Sequence, residues 1–160
     1  MDRTDRRILI ELMRDSTIPI AELARRVNLS QTPCWKRVRK MEDTGIIAAR
    51  VALADPDALG LGLIVFVELQ ALDHTPAWRA ALDQLVAHAP EIMEAYRIAG
   101  DIDCLLKVAV ADMAGYDRFY GRLANALPCR RIAARVSAEC LKATTVCRYP
   151  ATIRGSCDRS

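Results

Sequence analysis

Polar and basic side chains recur at helical spacing between residues 30 and 44. At the 100° per residue of an α-helix, Thr32, Trp35, Lys36 and Arg39 fall on one side, and Lys40 lies beside them. Cations and hydroxyls match phosphates and base edges, while an indole offers apolar contact to a thymine methyl or a sugar. This stripe therefore predicts contact with the major groove of double-stranded DNA.

The opposite side of the same segment is apolar and is expected to face a core, since Cys34, Val38 and Met41 share it. Ser30 is expected to cap the helix, and Pro33 is tolerated because the first helical turn needs no amide donor. The free amides of that turn point towards phosphate. The residues expected to contact DNA are Ser30, Gln31, Thr32, Trp35, Lys36, Arg37, Arg39 and Lys40.

Two earlier helices are needed to position this segment. Asp2 and Asp5 form an acidic start for the first, and Pro19 opens a short second helix. A break at Asn28 precedes the basic helix, which Gly45 ends, and this order matches a helix-turn-helix. The alternative is an ordinary solvated basic face. The tight break and the exposed tryptophan beside the cations favour DNA.

Charge is divided unevenly along the chain of 160 residues, whose net charge is +3. Residues 1–50 hold eleven Lys and Arg against seven Asp and Glu, whereas residues 51–160 hold twelve against thirteen. The first third is thus where a polyanion is expected to bind. No run of eighteen apolar residues and no signal peptide is recognised, which predicts a cytoplasmic protein without membrane contact. Six cysteines without a C-x-x-C pair predict free thiols and no metal site.

The hydrophobic period changes after a boundary rich in Gly, Pro and Asp at residues 55–62. Residues 46–53 are expected to form a strand or an extended arm. Strands are expected over residues 63–72, 92–99, 103–110 and 131–141, with helices over 76–89 and 112–127. The order βαββαβ predicts an α+β chain with a ferredoxin-like domain, an antiparallel sheet covered by helices on one face. The other face predicts dimerisation through the sheet.

Three blocks of sequence occur in order along nearly the whole chain. The first is Asp2-x-x-Asp5-Arg6-x-Ile8-Leu9-x-x-Leu12 with its continuation through Leu29-Ser30-x-Thr32-Pro33-Cys34; the others are Gly100-Asp101-x-Asp103-x-Leu105-Leu106-x-Val108 and Lys142-x-Thr144-Thr145. On these blocks the chain resembles the Lrp/AsnC (feast/famine) family of transcription regulators. Within it, Thr32-Pro33-Cys34-Trp35-Lys36-Arg37 and Leu59-Gly60-Leu61-Gly62-Leu63 are similar to the cysteine-responsive branch linked to cysteine breakdown.

The resemblance implies a winged helix-turn-helix domain over residues 1–54, a hinge over 55–62 and an effector-binding and oligomerisation domain over 63–150. A tail over residues 151–160 is expected to be disordered. The family pattern implies homodimers that assemble into tetramers or octamers, and no cofactor. It also implies that an amino acid binds around the Gly-Asp-x-Asp loop. The candidate effector residues are Gly100, Asp101, Asp103 and Cys104, with Ser137, Ala138 and Glu139 nearby on the last strand.

Such a loop suits an amino-acid ligand, because an acidic side chain can bind the ammonium of the ligand and unpaired backbone amides can bind its carboxylate. The alternative is that Asp101 and Asp103 merely close a tight turn. Cys104 stands where relatives commonly carry an aromatic residue, so the sequence departs from the family there.

The function expected is sequence-specific DNA binding modulated by a small amino acid, with cysteine as the first guess. One alternative keeps the DNA-binding element but switches it by thiol oxidation or by a metal. An RNA-binding sheet is weaker, since Phe66 and Tyr96 are its main aromatics. An enzyme is a remote alternative, because the chain has only His74 and His88 and none of the common catalytic motifs.

Overall fold

A computed structural model describes residues 1–146, so the tail expected over residues 151–160 lies outside the described residues. The elements are α1 (Arg3–Arg14), α2 (Ile20–Val27), α3 (Gln31–Asp43), β1 (Leu63–Ala71), α4 (Pro76–His88), β2 (Ile92–Arg97), β3 (Cys104–Val110), α5 (Met113–Ala126) and β4 (Cys129–Val136). They form two compact units. The N-terminal unit is Met1–Ala52, with which residues 141–146 group, and the C-terminal unit is Leu53–Cys140. The sequence pattern instead places residues 141–146 in the C-terminal domain. Each helix within residues 1–146 is too short or too polar to span a lipid bilayer.

The N-terminal unit is a bundle of three helices around its own apolar core. Asp2 and Asp5 start α1 as a reciprocal capping box, each side chain accepting from the other residue's N–H. Asn28, with φ 58°, ends α2 in the left-handed conformation, and Gly45, with φ 70°, follows α3. The buried core consists of Ile8, Leu9, Leu12, Ile18, Leu23, Ala24, Val27, Cys34, Val38 and Met41. The expected helix-turn-helix is therefore present.

Residues 46–53 form an arm that contains no strand, so the strand alternative is wrong for this segment: residues 46 and 47 lie in a bend, and residues 48–53 have no regular secondary structure. Within residues 1–62 no other strand exists for it to pair with. A β-ladder needs a partner for its amides and carbonyls. Val51 and Leu53 of the arm are well exposed.

The C-terminal unit is the expected βαββαβ fold. Its four strands lie in the order β2-β3-β1-β4, and every neighbouring pair is antiparallel. β1 is central, and its residues alternate between a buried and a more exposed face. The alternation follows from the two-residue repeat of a strand, one face of which packs on α4 and α5. The last strand ends at Val136, earlier than the expected residue 141.

The core of this unit lies between the sheet and its two helices. Phe119 and Leu123 of α5 and Trp78 and Leu82 of α4 pack against buried residues of β1 and β3. The Trp78 indole N–H donates to the Pro128 carbonyl at 2.9 Å, which ties the first turn of α4 to the segment before β4. This packing holds the turns at the ends of the strands in place.

Candidate nucleic-acid interface and effector site

The two faces of α3 are divided as its sequence predicts. Cys34, Val38 and Met41 are 0%, 3% and 3% exposed and pack into the core of the N-terminal unit. On the outward side, Trp35 is 51% exposed, a large fraction for an indole. Burial of the apolar stripe fixes the rotation of the helix about its axis, and the polar stripe must then face solvent.

Seven of the eight residues expected to contact DNA are exposed, and the eighth, Arg37, is half-buried. The exposed seven are Ser30, Gln31, Thr32, Trp35, Lys36, Arg39 and Lys40. Ser30 occupies the N-cap position with extended backbone, but its side chain makes no capping hydrogen bond. The third helical position is Pro33, which has no N–H to donate to a cap. The Ser30 hydroxyl is consequently available for a contact outside the protein.

Arg37 differs from the other seven, because its guanidinium is engaged inside the unit. Its Nη1 donates to Asp2 Oδ2 at 2.5 Å and to Asp5 Oδ1 at 2.6 Å. The hydrogen bond from the Asp5 N–H and the Arg37 guanidinium lower the pKa of the Asp2 carboxyl. Arg37 thus joins α3 to the first turn of α1 and acts on the orientation of the outward face.

Ion pairing separates the basic residues of the N-terminal unit into two groups. Glu22 accepts from Arg25 and Arg26, and these two guanidinium groups lower its pKa to about 2. In the part of the chain that the structure describes, neither Lys36 nor Lys40 has an ion-pair partner. The outward face of α3 therefore carries unpaired positive charge at Lys36 and Lys40, whereas Arg39 on the same face is paired with Glu42.

In the C-terminal unit, Asp103 holds the loop between β2 and β3 in place. Its Oδ2 accepts from the Ala71 N–H at 2.8 Å, and its own N–H donates to the Leu69 carbonyl at 2.8 Å. His74 Nδ1 lies 3.7 Å from the second carboxylate oxygen. These contacts tie the loop to the end of β1 and give the Asp103 side chain a structural role.

Cys104 cannot face a ligand on the open side of the sheet, which corrects its place among the candidate effector residues. It is 2% exposed and belongs to the core beneath α4 and α5. Burial raises the pKa of its thiol. Because side chains alternate along β3, a residue directly after Asp103 can point inward while the loop points outward.

Ser137, Ala138 and Glu139 also differ from expectation, since they follow β4 and do not lie near the Gly-Asp-x-Asp loop within one chain. Ser137 N–H donates to the Ile64 carbonyl, at the start of β1, whereas Cys104 pairs with Leu69. From position 64 to 69 a strand advances about 17 Å at roughly 3.3 Å per residue. The antiparallel register of β1 with both neighbours causes this separation.

Asp101 lies in two neighbouring surface cavities of about 140 and 270 Å³. The smaller contains Glu68, Gln70 and Arg131, and the larger contains Gly100 and Arg130. Arginines and an aspartate can bind the carboxylate and ammonium of an amino acid. Arg130 and Arg131 are not among the effector residues predicted from the sequence, although they form a basic pair at the start of the last strand. Glu68 is already paired with Arg135 at 2.6 Å.

The described residues offer little for a metal or thiol switch. Among them, no three His, Cys, Asp or Glu side chains are placed to hold a metal ion. Burial raises the pKa of the Cys34 and Cys104 thiols, which disfavours the reactive thiolate. Cys140 is exposed, and Cys147 and Cys157 lie outside the described residues.

Comparison with known proteins gives two family matches that together span most of the chain. Residues 1–48 match the winged helix-turn-helix DNA-binding family, and residues 64–146 match the Lrp/AsnC ligand binding domain. The DNA-binding transcriptional activator DecR of Escherichia coli (strain K12) is 44% identical over 128 residues, which cover 80% of this chain and 84% of DecR.

Solved structures match over both units. An AsnC family transcriptional regulator from Agrobacterium tumefaciens has a TM-score of 0.87 at 43% identity, covering 94% of this chain and 97% of the other. A transcriptional regulator from Neisseria meningitidis, solved as a complex with L-Met, has a TM-score of 0.88 at 28% identity, covering 92% and 96%. The curated relative is named a regulator and not an enzyme. The chain therefore belongs to the Lrp/AsnC family of DNA-binding transcription regulators.

Proposed function

We propose that α3 enters the major groove and reads a specific DNA sequence. The observation that carries this proposal is the outward stripe of Thr32, Trp35, Lys36 and Arg39, whose rotation the buried side of the helix fixes. Lys36 and Lys40 neutralise phosphates, while Thr32, Trp35 and Arg39 face base edges and sugars. Ser30, Gln31 and the first amides of α3 contact the DNA backbone. Arg37 orients this surface from behind.

We propose further that a small amino acid bound in the C-terminal unit modulates DNA binding, with cysteine as the first guess. Asp101 takes the ammonium, and Arg130 or Arg131 takes the carboxylate. Gly100 shapes the loop, and Asp103 holds it to β1. The L-Met complex of the Neisseria relative supports the ligand class. The stretches similar to the cysteine-responsive branch support the choice of cysteine.

The assembly proposed for the protein is a cytoplasmic homodimer formed through the open face of the sheet, which builds tetramers or octamers. Ser137, Ala138 and Glu139 belong to the effector site in this proposal only if a second protomer supplies them, since about 17 Å of β1 separates them from the loop within one chain. The proposed domain functions follow the expected division into a DNA-binding domain over residues 1–54, a hinge over 55–62 and an effector domain over 63–150.

DNA reading by α3 is tested by fluorescence anisotropy on a duplex that the wild-type protein selects from a random library. Lys36→Ala and Arg39→Ala are expected to weaken binding, and removal of a single phosphate contact should flatten the slope of log K against log salt by about 0.9. Arg79→Ala is the charge-matched control, since Arg79 is an exposed arginine of the C-terminal unit. Unchanged binding by both α3 variants contradicts the proposal.

The effector proposal is tested by thermal unfolding with each of the twenty amino acids under reducing conditions. A ligand at a hundred times its Kd stabilises the folded state by about 2.7 kcal/mol, which measurably raises the midpoint temperature of thermal unfolding. Cysteine is expected to give the largest shift in the unfolding midpoint, and both Asp101→Asn and the double variant Arg130→Ala/Arg131→Ala are expected to abolish it. Asp117→Asn on α5 is the matched control, because Asp117 is exposed away from both cavities. No shift with any amino acid contradicts the proposal.

A further inference from the structure

Glu42 lies at an unfavourable position for a carboxylate and beside the surface proposed to read DNA. It is the penultimate residue of α3, where the partial negative charge of the helix C-terminus disfavours an acid. A carboxylate there also repels the phosphates of an approaching duplex. Helix formation therefore gives no reason for an acid at this position.

The two oxygens of Glu42 bind two different arginines. Oε2 lies 3.3 Å from Arg39 Nη1, and Oε1 lies 2.9 Å from Arg50 Nη2. Arg39 belongs to the outward stripe of α3, and Arg50 belongs to the arm that follows it. One carboxylate therefore gathers two cations from two segments onto the same side of the unit.

Both arginines remain within reach of a ligand while they are held. Their side chains are 60% and 43% exposed, whereas that of Glu42 is 26% exposed. The Arg39 guanidinium also lies over the Trp35 ring, with its Cζ 5.8 Å from the ring centroid, within the range of a cation–π contact. Exposed ion pairs of this kind are weak, so a good hydrogen-bonding partner can replace the carboxylate.

We propose that Glu42 determines sequence specificity by holding Arg39 and Arg50 away from non-specific phosphate contacts. A phosphate without matching bases must compete with the carboxylate for each guanidinium. At a matching sequence, a base edge accepts two hydrogen bonds from Arg39, which outweighs the ion pair that it replaces. Repulsion of unwanted partners is a general route to specificity. This inference rests on the proposed reading of DNA by α3.

The test compares Glu42→Gln with Asp43→Asn on two duplexes of equal length. One duplex is selected by the wild-type protein from a random library, and the other is its shuffled sequence. Asp43 is the matched control because it neighbours Glu42, is exposed, and has no ion pair among residues 1–146. Both variants remove one negative charge from the same helix end. Anisotropy titrations over a series of NaCl concentrations give the affinity and its salt slope.

Glu42→Gln is expected to raise affinity for the shuffled duplex about tenfold and for the selected duplex less than about threefold, since the freed arginines add up to two phosphate contacts. For Glu42→Gln, the slope of log K against log salt on the shuffled duplex should steepen by roughly one to two. Asp43→Asn should change the affinities for the two duplexes by the same factor. Equal changes on both duplexes for Glu42→Gln, or identical behaviour of the two variants, overturn the role of Glu42 alone. Unchanged binding by both Lys36→Ala and Arg39→Ala overturns the reading of DNA by α3, and this inference with it.

Discussion

At the residue scale, burial separates the cysteines of the described chain by reactivity. Cys34 and Cys104 lie in the two cores, and desolvation raises the pKa of each thiol above its usual range. Cys140 is exposed. Because the thiolate is the nucleophile, the buried thiols are expected to be inert at neutral pH.

Alkylation kinetics check this expectation. At a pH of about 7.5, below the ordinary thiol pKa, iodoacetamide is expected to label Cys140 much faster than Cys34 or Cys104, as followed by peptide mass spectrometry. The same reaction in urea serves as the control, since unfolding should make the rates similar. Fast labelling of Cys104 in the folded protein would contradict its place in the core and would restore a thiol switch as a candidate.

Side chains that meet in space decide the roles of Asp103 and Arg37 more than their residue types do. An aspartate in a Gly-Asp-x-Asp loop suits both ligand binding and turn closure, yet the hydrogen bond from the Ala71 N–H gives this one a third role, which is to hold the loop to β1. An arginine on a basic helix suits phosphate, yet two carboxylates at the start of α1 bind this one. Neither set of partners is adjacent in sequence, so spacing along the chain gave no sign of it.

At the scale of elements, the start of α1 also supports the proposed recognition helix. The Asp2 carboxylate caps α1 through the Asp5 N–H and accepts from Arg37 of α3. One side chain therefore stabilises both a helix end and a contact between two helices. Removal of an N-cap side chain costs about 0.5–2 kcal/mol in general.

Asp2→Ala is expected to lower the free energy of unfolding at neutral pH by about 1 kcal/mol for the cap alone. The pKa of Asp2 is lowered in the folded state. The stabilisation that its carboxylate charge provides is therefore fully present above the ordinary pKa of 3.8 and is lost as pH falls through the folded-state pKa. Urea unfolding at neutral pH and again below the ordinary pKa measures the difference from wild type, which should shrink at the lower pH. Asp2→Asn keeps the acceptor of the cap, so its free energy of unfolding at neutral pH should lie between those of the wild type and Asp2→Ala. A pH-independent difference would contradict the role of the charge.

At the scale of the whole molecule, each unit has its own apolar core and one of the two tryptophans. Trp35 lies on the exposed face of α3, and Trp78 is buried in the core of the C-terminal unit. The two indoles can therefore report separately on the two units. Phe119 is fully buried in the same core as Trp78.

Phe119→Ala is expected to lower the free energy of unfolding of the C-terminal unit by about 3–5 kcal/mol, because it removes buried apolar surface and leaves a cavity. In protein labelled with 5-fluorotryptophan, the ¹⁹F resonance of Trp78 should report unfolding at a clearly lower urea concentration. The Trp35 resonance should keep its wild-type midpoint, because its unit has a core built from other residues. Leu23→Ala in the N-terminal core is the reciprocal control and should move the Trp35 resonance. Equal shifts of both resonances would contradict separate cores.

Local signals in the sequence suffice to predict the elements and the outward face of α3. Periodicity, caps and turn residues depend on neighbours along the chain, so the three helices, the break at Asn28 and the order βαββαβ could all be predicted. Strand ends could not be predicted as closely, because a strand ends where the neighbouring strand no longer offers hydrogen-bond partners. The last strand therefore ends at Val136, and residues 46–53 form no strand because residues 1–62 contain no other strand to pair with them.

Contacts between distant segments, in contrast, settle which side chains share a site. Antiparallel register separates Ser137 from Gly100 and brings Arg130 and Arg131 beside Asp101 instead. Alternation along β3 turns Cys104 into the core. Folding of the N-terminal unit pairs Arg37 with Asp2 and Asp5, and Glu42 with Arg39 and Arg50. Most of these pairings depend on distances through space between segments far apart in sequence, which local propensity does not encode.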